Sequence, residues 1–79
     1  MQGGTYLVEF ERIGRNHAVA PITVTVEGEA ALAREIRLVA RDHLRSRDFD
    51  VMIDAEAGAG WIACGMRSGG NFSITATNT

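Results

Sequence analysis

The 79-residue sequence predicts an α+β fold in which a single helix packs on one face of a mainly antiparallel sheet, in the order β-β-α-β-β-β. Three observations lead to this prediction. Four segments alternate apolar and polar residues with the period of two that is typical of half-buried strands, and a fifth, 61–66, is predicted as a short strand whose faces are less clear. One segment, between the second and third of these, repeats its apolar residues with the helical period. Three consecutive strands follow the helix, which favours antiparallel pairing.

The strands are assigned from this alternation and from the turn residues around them. A polar loop at 14–17 separates the first two strands. Pro21 stands at the start of the second, where a missing N–H is tolerated. Two adjacent glycines predict a tight turn at 68–71 before the last strand. The predicted strands lie at 6–11, 22–26, 48–55, 61–66 and 72–77.

The helix is predicted over residues 29–45. Glu27 and Glu29 stand at its beginning and arginines fill its last turns, as the helix dipole favours. The predicted apolar face comprises Leu32, Ile36, Val39, Ala40, His43 and Leu44.

The chain is predicted to be one domain, 1–79, and to form a homodimer or a higher homo-oligomer. Five strands make a sheet roughly 20–25 Å wide, whereas one helix covers about 10 Å. Part of the apolar sheet face therefore needs a further cover, which a second copy would supply. Curling of the sheet is the alternative.

The formal net charge of −2 argues against a globally basic nucleic-acid binder but leaves room for a local basic patch. The one cysteine excludes an internal disulfide, and the Cys and His spacing offers no structural zinc site. We expect no cofactor, no metal and no membrane association. We expect a cytoplasmic protein, because residues 1–10 lack a secretory signal pattern and no apolar run approaches about 20 residues.

Four arginines, Arg34, Arg37, Arg41 and Arg45, share one helix face because they are spaced by three, four and four residues. One interpretation is a candidate anion or nucleic-acid contact, since guanidinium groups bind phosphates bidentately. The other is a solvated outer helix face, flanked by Glu35 and Asp42.

Acidic side chains share one face of the third predicted strand, at Asp48, Asp50 and Asp54. Glu9 and Glu11 are expected on a neighbouring strand. The group is either a divalent-cation site or the solvent side of a half-buried sheet. Together with the arginines of the helix, this acidic group gives the domain one acidic and one basic side, which would steer a partner or self-association.

Three further candidate residues stand alone in the sequence. His43 is expected on the apolar helix face, either as a functional group or as a histidine at the rim of the core. His17 follows Arg15 and Asn16 in a loop that either binds a ligand or is simply solvated. Cys64 is either a nucleophile or, more ordinarily, a small buried thiol.

Two further features lie in the last third of the chain. Trp61 either anchors an interface or closes one end of the core. The expected turn at 68–71 would present N–H groups to an anion near Arg67.

Three segments, YLVEFER at 6–12, HLRSRD at 43–48 and GMRSGGNF at 65–72, resemble those of short uncharacterised actinobacterial, streptomycete-like proteins. All eight basic residues are arginine, which agrees with a GC-rich genome of that kind. The resemblance implies an origin and carries no activity or site residues.

These observations predict a small non-enzymatic binding or interaction module that self-associates. The alternative is a nucleic-acid-binding or regulatory protein that uses the arginines of the helix. No catalytic constellation is predicted from the residue spacing.

Overall fold

A computed structural model describes residues 2–44 and 48–77. The elements are β1 (Gly4–Ile13), β2 (Ile22–Val26), α1 (Glu29–Arg41), β3 (Asp50–Asp54), β4 (Ala59–Cys64) and β5 (Arg67–Ala76). The strands form one five-stranded sheet in the order β2-β1-β5-β4-β3, and every neighbouring pair is antiparallel. The predicted fold class and element order are confirmed.

The helix crosses the sheet from one edge to the other, because it connects β2 at one edge with β3 at the opposite edge. Its backbone approaches both edge strands. A helix of 13 residues is about 20 Å long, and a five-stranded sheet spans about 19 Å between its outer strands. The helix axis therefore runs across the strands, so that the length of the helix, and not its width, spans the sheet.

The core lies between α1 and the sheet face on which the helix packs, which we call the inner face. The helix contributes Leu32, Ile36 and Ala40, all fully buried. Burial of a leucine or isoleucine side chain stabilises the fold by about 1.5–3 kcal/mol before entropy is counted. The sheet and the segment before β3 contribute Val8, Phe10, Ile13, Val26, Phe49, Ile62, Phe72 and Ile74.

The inner face is thus covered within one chain at its centre. Ile22 and Val24 on β2 and Val51 and Ile53 on β3, at the two edges, remain half-buried, as do Tyr6 on β1 and Cys64 on β4. A second copy is therefore not needed to cover the centre of this face. Self-association stays a prediction, and it must rest on other surfaces.

The helix ends at Arg41, four residues before the predicted end. The amides of His43 and Leu44 both donate to the carbonyl of Ala40, at 3.0 Å, and these bonds close a final turn. Leu44 is half-buried and packs against the core. Arg45 lies outside the described residues.

The expected turn at 68–71 is wrong, because these residues belong to β5. The chain reverses at Gly65 and Met66 instead, where Gly65 has a φ of 63°. Such a φ strains most L residues, so glycine favours the hairpin there. The register between β4 and β5 shifts beside Gly69, which forms a bulge.

Among the described residues, no helix is long and apolar enough to cross a membrane.

Candidate interaction surfaces

The outer face of α1 carries Arg34, Arg37 and Arg41, all exposed, so the predicted stripe is present over these three residues. The fourth candidate, Arg45, is not among the described residues. Leu38 lies between Arg34 and Arg41 on the same side of the helix and is 50% exposed. We call Arg34, Leu38 and Arg41 the basic helix face. It combines two cationic side chains with an apolar centre.

Arg37 differs from the other two arginines because it packs on an aromatic ring. Its guanidinium carbon lies 4.9 Å from the centroid of Phe49, in a cation–π arrangement. Phe49 is itself buried, at 3% exposure. Arg37 therefore covers the end of the core where the chain enters β3, and part of its role is structural.

The opposite surface of the molecule is the outer face of the sheet. Trp61 on β4 and Met52 on β3 are direct cross-strand partners on this face. They are 44% and 43% exposed, although residues of these types are usually buried. Their neighbours Val51, Ile53 and Ile62 point to the core, so the alternation of each strand places the pair outward.

A row of four residues crosses the outer face next to this pair. Glu9 on β1 is registered with Ser73 on β5, Ser73 with Ala59 on β4, and Ala59 with Asp54 on β3. The two ends of the row are acidic and the two middle residues are small. We call this row, together with Trp61 and Met52, the acidic trough.

A shallow depression of about 480 Å³ on the outer sheet face is lined by three residues of the trough, Glu9, Ser73 and Ala59. Glu11 and Asn71 also line it. Asp50 lies on the same side of β3, so the charge of this face is mainly negative. Arg12 lies at one end of this sheet face and donates to the carbonyl of Gly14 at 2.9 Å. It also donates to the hydroxyl of Ser68 at 3.4 Å.

The divalent-cation hypothesis is not supported. The strand that carries Asp50 and Asp54 is not a neighbour of the strand that carries Glu9, because β5 and β4 lie between them. Across residues 2–44 and 48–77, no group of three or more Asp, Glu, His or Cys side chains is close enough to hold a metal ion. The sequence could not reveal this separation, since it does not give the strand order.

His43 was expected on the apolar helix face, and this expectation is wrong. The helix ends before it and the side chain is exposed. Asn16 Nδ2 donates to His43 Nδ1 at 3.2 Å, and Asn16 Oδ1 accepts from the amide of Ala18 at 2.9 Å. The contact joins the β1–β2 loop to the end of α1. His17 is exposed in the same loop.

Cys64 ends β4 and is half-buried against the core, as a structural thiol would be. A Cβ atom built on Gly69 would lie 2.6 Å from its Sγ. The thiol therefore fills the space beside the bulge. The anion site proposed for 68–71 is lost with the turn, because these residues pair with β4 and β1.

Comparison with known proteins finds no matching family model, no matching curated protein and no matching solved structure.

The sequence indicated Arg34, Arg41, Trp61, Glu9 and Asp54 as candidates, but not Leu38 or the row that connects Glu9 with Asp54. Leu38 could have been found, since the helical period places it among the arginines and away from Leu32 and Ile36. The pairing of Trp61 with Met52 depends on strand register and has no signal along the chain.

Proposed function

We propose that this chain is a small non-enzymatic interaction module that associates with itself through the outer face of its sheet. The observation that carries the proposal is the cross-strand pair of Trp61 and Met52. Both side chains are nearly half exposed. Tryptophan and methionine are enriched at protein interfaces, where they contribute much of the binding energy when they are desolvated. A cytoplasmic location remains part of the proposal.

Sedimentation velocity over a range of concentrations tests this proposal. The wild-type protein is expected to sediment increasingly fast as its concentration rises into the high micromolar range. Trp61→Ser combined with Met52→Ser should keep the protein monomeric. Met66→Ser is the matched control, because Met66 is fully exposed at the β4–β5 hairpin tip, away from the trough.

The control variant should associate as the wild type does. A wild-type protein that stays monomeric throughout the range would contradict the proposal. Equal association of the wild type and the Trp61/Met52 variant would also contradict it.

The second candidate function is nucleic-acid binding through Arg34, Arg37, Arg41 and Arg45. It is favoured by the exposure of Arg34 and Arg41 on one helix face. Retention on a DNA or heparin column at low salt, steeply reduced by added salt, would support it. Arg34→Glu with Arg41→Glu is the appropriate variant, because replacing Arg37 would also disturb its packing on Phe49. Absence of retention by the wild-type protein would exclude this candidate.

A further inference from the structure

We infer that the occupant of the acidic trough is the basic helix face of a second copy of this chain. This inference rests on the proposed function, because it names the partner surface for the same sheet face. Both surfaces belong to one chain but lie on opposite sides of it. The helix packs on the inner sheet face and the trough is on the outer face, so a chain cannot fill its own trough.

Charge complementarity is the first argument. The trough ends in Glu9 and Asp54, whereas the basic helix face presents Arg34 and Arg41. A symmetric contact between two outer sheet faces would oppose carboxylates to carboxylates. A symmetric contact between two outer helix faces would oppose arginines to arginines. The helix-to-sheet contact brings these arginines against these carboxylates, whereas like-charge contacts at interfaces are strongly unfavourable.

Dimensions are the second argument. Arg34 and Arg41 are seven residues apart, which is about 10 Å along the helix axis. Glu9 and Asp54 are separated by three strand spacings, or about 14 Å. The long arginine side chains can bridge this difference. The floor between the carboxylates is made of Ser73 and Ala59, whose small side chains leave room for a helix.

The apolar residues are the third argument. Leu38 lies between the two arginines, and Trp61 and Met52 lie beside the row that ends in the two carboxylates. These three are among the most exposed large apolar side chains of the described residues. Docking would remove all of them from water in one contact with charged groups at its rim, which is the usual anatomy of an interface.

Such a contact is heterologous, since it joins two different surfaces. Each copy that uses its helix still offers its trough, so association continues beyond the dimer unless a ring closes. This property distinguishes the inference from a two-fold dimer.

The test combines two variants that each destroy one surface. The helix variant carries Arg34→Glu and Arg41→Glu, and its trough is intact. The trough variant carries Trp61→Ser and Met52→Ser, and its basic helix face is intact. Each alone should associate at least about tenfold more weakly than the wild type, because each lacks one half of every contact.

An equimolar mixture should form a 1:1 complex in sedimentation velocity and grow no further. The helix of the trough variant fits the trough of the helix variant, and no second intact contact can form. Arg15→Glu with Arg67→Glu is the control for the altered net charge, since both residues are exposed and outside the two surfaces. It should associate as the wild type does. Thermal unfolding checks that every variant folds, and Arg34→Gln with Arg41→Gln replaces the helix variant if it does not.

The outcomes separate the two proposals. If the wild type and the helix variant associate equally while the trough variant does not, the sheet face is an interface but its partner is not the helix. Association of both variants as strongly as the wild type would point to another surface, such as pairing of the uncharged β2 edge. That result would overturn both proposals, as would a wild-type protein that remains monomeric.

Discussion

Trp61 and Met52 are direct cross-strand partners on the side of the sheet that the helix leaves open. The adjacent residues Ile62 and Val51 also pair with each other, and both face the core. Sheets with one covered face normally carry polar residues on the other. The position of this large apolar pair is therefore the feature of the fold on which the proposed self-association rests.

Trp61 is the only tryptophan, so its fluorescence reports on this surface alone. We predict that its emission maximum shifts to shorter wavelength as protein concentration rises, because the indole leaves water when the trough is filled. The shift should follow the association measured by sedimentation. It should persist in Met66→Ser and disappear in the helix variant. A maximum that does not change while the protein associates would place the interface elsewhere.

Leu38 and Ile36 lie on opposite sides of α1 and should respond differently to truncation. Ile36→Ala should reduce the free energy of unfolding by about 2–5 kcal/mol, since Ile36 is fully buried. Leu38→Ala should change it by less than about 0.5 kcal/mol, as exposed positions generally do, yet weaken self-association. Chemical denaturation and sedimentation measure the two effects. A large loss of stability from Leu38→Ala would contradict the assignment of its face.

Arg37 is predicted to contribute to folding through its contact with Phe49. Arg37→Ala should lower the free energy of unfolding by about 0.5–1 kcal/mol, the range found for exposed cation–π pairs. Arg34→Ala is the matched control, and it should have little effect on unfolding. In a Phe49→Leu background the effect of Arg37→Ala should shrink, because the aromatic partner is gone. Equal effects in both backgrounds would show that the ring contact is not responsible.

Gly69 is predicted to be intolerant of a side chain because Cys64 Sγ and Ile62 Cγ2 would lie 2.6 and 3.0 Å from an added Cβ atom. Gly69→Ala should destabilise the fold by about 1–3 kcal/mol, as overpacking does. Cys64→Ala removes the nearer obstacle, so the cost of Gly69→Ala should be smaller in that background. Thermal unfolding of the four proteins measures this coupling. Strictly additive effects would contradict it.

Local patterns along the chain were sufficient to predict the elements and their order. The alternation in β1 and β2 and the helical period from Leu32 to Ala40 arise because one side of each element is buried. Apolar residues therefore recur with the period of that element. The same patterns failed where long-range packing decides the structure. His43 follows the helical period, but the chain leaves the helix at Arg41 to return to the sheet. Gly69 and Gly70 resemble turn residues, although they serve close strand approach.

The sequence by itself determined the α+β class, the amphipathic helix and the identity of its exposed arginines, because each depends on residues near one another in the chain. Only the tertiary structure decided that Glu9 and Asp54 stand at the two ends of one row, that Trp61 meets Met52, and that one helix covers the centre of the inner face. These relationships depend on strand order and register, which are set by contacts between residues far apart in sequence. The candidate partner surfaces therefore emerge only once the sheet is assembled.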